Sequence, residues 1–137
     1  MKTKTFLTTL IIGVICQFAP QICQGQDIDS MAPVVVKTVP EAGSKDVSPG
    51  EMEIRVTFSK DMMNGSWSAC QISDETFPKS GDGKMHYLPD KRTCVMPVKL
   101  EPGKTYVIWL NRGQFQAFRD TYRNSSVPYL LVFQTKK

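Results

Sequence analysis

Residues 51–58, Glu-Met-Glu-Ile-Arg-Val-Thr-Phe, alternate polar and apolar side chains without a break. Successive side chains of a β-strand point to opposite faces. Met52, Ile54, Val56 and Phe58 therefore share one face, and Glu51, Glu53, Arg55 and Thr57 the other. Such a strand is half-buried and needs a second layer over its apolar face. Other short runs of strand character are 33–39, 66–72 around Trp67, 85–88, 93–100, 106–110 and 128–135. Clusters of Gly, Pro, Asn, Asp and Ser separate them at 41–50, 59–65 and 73–84, and 111–127 is a long irregular connection. Beyond residue 25 no segment carries apolar residues at helical spacing, and none recurs at a fixed interval as in a solenoid. About seven short strands with turn signals between them predict an all-β antiparallel sandwich.

Some residues make local expectations sharper. Pro97 points to an edge position or a bulge in 93–100, because proline donates no ladder hydrogen bond. Gly81-Asp82-Gly83-Lys84 lacks the spacing of a phosphate loop and reads as a hairpin turn. Leu100-Glu101-Pro102-Gly103-Lys104-Thr105-Tyr106 is a tight turn feeding a strand. In sandwiches a tyrosine placed there folds back, and its hydroxyl bonds to backbone a few residues upstream. Tyr106 is thus expected to form a tyrosine corner. Continuing the alternation, Tyr106, Ile108 and Leu110 face the core, while Val107 and Trp109 face outward.

The first 25 residues carry the pattern of a cleavable signal peptide. Lys2 and Lys4 precede an apolar run from Phe6 to Ile15, too short for a bilayer that needs roughly 20 residues. Cys23-Gln24-Gly25 is the best cleavage site, leaving Gln26 first. Ile15 before Cys16 and Ile22 before Cys23 argue against a lipid anchor, which wants a small residue there. The expected organisation is a signal peptide over 1–25, a flexible lead-in over 26–32 and a sandwich over 33–137. The product is exported, periplasmic or extracellular, with no membrane span after cleavage. Removing the leader takes two lysines and no acids, so the net charge falls from +4 to +2. The remaining cations are scattered among acids, without the basic stripe that nucleic-acid binding needs.

Cys70 and Cys94 remain after cleavage, an even number in an oxidising setting. A bridge would close a loop of about 25 residues and add roughly 3 kcal/mol. Parity opposes it: with Trp67 inward, Cys70 points outward, whereas Cys94 points inward. The sequence leaves both states open.

The order of several motifs resembles the bacterial Ig-like domain of the SbsA type, Big_5. The motifs are Val39-Pro40-Glu41-Ala42-Gly43 with Val47, then Ile54-x-Val56-x-Phe58-Ser59-Lys60-Asp61-Met62, then Leu100-x-Pro102-Gly103-x-x-Tyr106. Asp120-Thr121-Tyr122-Arg123-Asn124 follows, with Arg123 where the family has glycine, and Phe133-Gln134-Thr135 closes the pattern. The resemblance covers nearly all of the chain after its leader. It implies an Ig-like antiparallel β-sandwich in an exported bacterial protein, acting as a spacer or interaction module without catalytic activity.

Candidate chemistry is sparse. His86 is the single histidine, and its spacing to Cys70 and Cys94 matches no zinc pattern. No Gly-x-Ser-x-Gly nucleophile turn occurs. Asp61, Asp120 and Asn124 offer oxygen ligands for calcium, but as loop residues they read first as turn formers. Asn64-Gly65-Ser66 and Asn124-Ser125-Ser126 fit a glycosylation sequon and read as turns in a bacterial protein. No cofactor is expected. Trp109, Asn111, Arg112, Phe118 and Tyr122, with Phe115 among them, form a candidate binding surface, because aromatic and arginine side chains dominate interface hot spots. The competing expectation folds the long loop over the sheet and buries Trp109 and Phe118. The function expected is a non-catalytic structural or interaction module whose partner is a protein or envelope component. The alternatives are a carbohydrate- or ligand-binding module on the Trp109 face, and a secreted enzyme using paired carboxylates.

Overall fold

The alternating stretch becomes β2 (Gly50–Phe58) in a computed structural model that describes residues 25–137. The leader expected over 1–25 lies, apart from Gly25, outside the described residues. β2 sits between β1 (Val35–Val39) and β6 (Thr93–Leu100). Two short strands, β4 (Lys79–Ser80) and β5 (His86–Tyr87), both pair with the far side of β6. The second sheet has the order β3 (Ala69–Cys70), β7 (Thr105–Leu110), β8 (Tyr129–Gln134). Every pairing between named strands is antiparallel.

The core lies between the sheets and uses the alternation directly. Ile54, Val56 and Phe58 from β2 meet Cys94, Met96, Val98 and Leu100 from β6. From the other sheet come Tyr106, Ile108 and Leu110 of β7, with Leu131 and Phe133 of β8. Each fully buried side chain of this size contributes roughly 1.5–3 kcal/mol relative to exposure.

The structure differs from the sequence reading at three places. Pro97 lies in an interior strand, so of its two expected settings the edge fails and the bulge holds, on the partner strand opposite it. It faces Glu53 across β2, and its carbonyl accepts from Gly81 N at 3.1 Å on the opposite side. Its nitrogen therefore also points away from β2, where no ladder donor is needed. Residues 81–84 do not form a hairpin, since β4 and β5 pair with β6 rather than with each other. They are an outward bulge in one broken strand, and Gly81 fits because a Cβ there would lie 2.8 Å from Val98 N. The strand expected over 66–72 shortens to the two residues of β3.

Two local devices tie the sheets together. The register slips between Val35 and Lys37 in β1, at the exposed Val36. By Gly43, which has a φ of +88°, the chain has crossed from β1 to the second sheet. There Gly43 N donates to Val132 O, Val47 N to Gln134 O, Gln134 N to Ser44 O and Lys136 N to Val47 O. At the other device, Glu101 N donates to Tyr106 Oη at 2.7 Å, the bond of a tyrosine corner. The Tyr106 ring is buried 5.5 Å from Phe133, and Thr135 Oγ1 donates to Glu101 O while accepting from Lys104 N. Tyr106→Phe leaves the Glu101 N–H without its acceptor and is expected to cost about 1–2 kcal/mol in urea unfolding. A change below a few tenths would show that the corner bond is dispensable.

Candidate binding surface

The loop after β7 decides which side chains are available for binding. Asn111 has a φ of +58°, a left-handed turn that asparagine tolerates better than most residues. That turn swings its side chain inward. Asn111 is fully buried, donating to Phe118 O, Ser126 O and Ser126 Oγ and accepting from Phe118 N at 3.0 Å. Phe118 is likewise fully buried, its ring 5.3 Å from Phe58. Asn111 and Phe118 therefore leave the expected binding surface: both hold the loop to the core. Strand parity fails for Asn111 because the pleat ends at Leu110.

The remaining members of that surface face different neighbours. Trp109 is half-buried on the outer face of the second sheet, with the Arg112 guanidinium 5.8 Å from its ring centre. Tyr122 is exposed and lies over Lys60, beside Ile28, Asp29 and Arg92.

Lys60 and Asp120 organise that second region. Asp120 is fully buried and pairs with the Lys60 ammonium. It also accepts from Tyr122 N, Asn124 N and Asn124 Nδ2. Lys60 further donates to the Asp29 and Met31 carbonyls, and Asn124 Nδ2 donates to Asp29 O. The segment 27–31, which contains a 3-10 turn, is thereby bonded to the domain. This assignment displaces the calcium reading: Asp120 and Asn124 bond each other and Lys60, and Asp61 accepts from Arg92 Nε at 2.8 Å. Among the described residues no three His, Cys, Asp or Glu side chains form a metal-holding group.

Cys70 lies in β3 of the second sheet and Cys94 in β6 of the first, and both thiols are free in this structure. Cys94 is a core residue whose thiol burial pushes up to about 12. Burial also raises Cys70, against the opposing pull of Arg112. Three carboxylates have shifted acidity, and all move down. Lys104 and Lys79 hold Glu101 near 2, and hydrogen bonds from Thr93 lower Asp90. For Asp120 burial works upward but is outweighed by Lys60 and Asn124. A general acid needs the opposite shift, toward neutrality.

One cleft was not anticipated. On the side where the sheets end in two-residue strands, a space of about 430 Å³ opens between β3 and β4. Its walls include Trp67, Phe77 and Met85, its floor Met96 and Val98, and its rim the exposed Phe115. The signal was the turn-rich stretch 73–84, whose few apolar residues let it add only the two-residue β4 to a sheet. Trp67 also packs on Tyr87, with ring centres 6.1 Å apart. The Tyr87 hydroxyl is buried without a hydrogen-bond partner. Tyr87→Phe is therefore expected to raise stability by about 1 kcal/mol, seen as a higher urea midpoint at unchanged slope. A lower midpoint would reveal a partner for that hydroxyl.

No curated protein and no solved structure matches the chain. The model of the bacterial Ig-like domain family, Big_5, matches residues 29–135, which takes in both sheets, the tyrosine corner and the Lys60–Asp120 pair, and the chain belongs to that family.

Proposed function

We propose that the protein is an exported, non-catalytic Ig-like module with a structural or protein-interaction role at the bacterial cell envelope. The observation that carries this reading is the family match across the whole sandwich, to a family of binding and structural domains rather than enzymes. The carboxylates support it, because those with shifted acidity are lowered by partners within the fold. The leader pattern of residues 1–25 supports export, and no helix among the described residues is long and apolar enough to cross a membrane. The carbohydrate-binding alternative needs a free indole face at Trp109, which the Arg112 guanidinium overlies.

Export is tested by fusing residues 1–40 to alkaline phosphatase, whose disulfides form only outside the cytosol. Activity is expected, and an inactive fusion with normal expression would overturn export. Interaction is tested with photo-crosslinkers at Val36, Phe115 and Tyr122, three exposed positions on different parts of the fold. At least one is expected to give a discrete adduct in the envelope fraction. Silence at all three, or hydrolase turnover lost on a single carboxylate substitution, would overturn the module reading.

A further inference from the structure

We propose that the cleft between the β3 and β4 edges docks an extended segment of a partner protein. The segment lays one bulky apolar side chain on Met96 and Val98 and sets an acidic side chain against Arg112. This deepens the interaction-module reading and rests on it.

The first argument is the direction of the backbone. Asn111 N donates to Ser68 O, which makes Ala69–Leu110 a non-hydrogen-bonded pair and turns the Ala69 N–H and C=O away from β7. Gly81 N donates to Pro97 O, so by the same pattern the Ser80 N–H and C=O turn away from β6. Ala69 and Ser80 both line the cleft, and neither has another backbone partner. Two sheet edges thus present donors and acceptors at one opening. A polypeptide backbone satisfies such edges, and alternate side chains then supply specificity.

The second argument is the lining. Its large side chains are aromatic or sulfur-bearing, and Met85 and Met96 can adapt to the shape of an inserted group. The lining includes no charged side chain and no amide side chain, so sugar hydroxyls would find few partners there.

The third argument is charge. Arg112 forms no ion pair among the described residues. It is fixed beside the cleft by mutual backbone bonds with Phe115, and it shares a shallow hollow with Cys70 and Gln71 along β3. The lining of the cleft itself carries no charged side chain, so Arg112 is the cation set beside it. A carboxylate next to the inserted apolar group complements it.

The probe is the synthetic peptide acetyl-Thr-Val-Phe-Asp-Val-Thr-amide, titrated into full-length mature protein carrying 13C-methyl methionine. Saturable shifts of the Met85 and Met96 methyl resonances are expected, with slowed exchange at the Ala69 and Ser80 amides. Replacing the peptide Phe by Ser is expected to abolish the shifts. Ala69→Pro removes the outward donor without touching the β7 ladder and is expected to weaken binding about three- to tenfold. Arg112→Glu, a change at an exposed side chain, is expected to make a Lys-for-Asp peptide the better ligand.

Methyl resonances unmoved at millimolar peptide would overturn the proposal, as would an unchanged preference in Arg112→Glu. Stronger shifts with maltohexaose would assign the cleft to a glycan, and peptide-free self-association protecting the same amides would assign it to a second copy. Either result overturns the partner-segment reading. If the cleft fails while crosslinks from Val36 or Tyr122 persist, the module reading stands and its partner docks elsewhere.

Discussion

Asp120→Ala is expected to destabilise the domain by about 3–5 kcal/mol, the cost of breaking a buried ion pair from one side. Asp120 is fully buried, and the Lys60 side chain is only 13% exposed. Lys60 would keep two carbonyl acceptors and lose its counter-charge, while the Tyr122 and Asn124 donors would lose theirs. Faster hydrogen exchange over residues 27–31 is expected as well, because Lys60 holds that segment. The pH dependence has a definite sign. The folded state lowers the Asp120 pKa below its unfolded value of about 3.9. Its contribution is therefore complete above roughly pH 4 and is lost as pH falls through the folded pKa. Urea unfolding at pH 7 and pH 3 should show the wild type losing more stability than Asp120→Ala. A cost under about 1 kcal/mol at pH 7 would refute a structural role for the pair.

Phe118→Ala is expected to cost about 3–5 kcal/mol, the range for truncating a buried aromatic ring. The substitution opens a cavity against Phe58 and loosens the backbone that Asn111 grips from both sides. Phe118→Leu fills most of the space and should recover more than half of the loss. If Phe118→Ala unfolded no more easily than wild type, the loop would have to be held by the Asn111 bonds alone.

The contrast between these residues shows what the sequence carried. β2 was legible because every residue of it obeys one period, and the opposing core positions of β6 and β7 obey it too. Tyr106 was legible because a Pro-Gly turn fixes where the next strand begins. Asn111 was not, since its inward turn depends on one left-handed residue beyond the end of the pleat. Phe118 lies in a loop without any period, so only the tertiary fold tells it from the exposed Phe115 three residues earlier. Lys60 was one charge among many, and its value comes from the distant Asp120, Asp29 and Met31. The cleft escaped for another reason: it is made by strands that stop early, and sequence patterns report what a strand covers better than what it leaves open.

The crossing of the first segment between sheets has a mechanical consequence. Residues 43–47 run parallel to the end of β8, with Val47 bridging Thr135. A pull that separates the two ends of the domain slides these segments past each other. Gly43–Val132, Ser44–Gln134, Val47–Gln134 and Val47–Lys136 then carry the load together in shear, instead of opening one at a time like a zipper. In a domain tethered at both ends, the bonds of 27–31 to Lys60 and the β1–β2 ladder take the load first, and this patch is the shear-loaded clamp behind them.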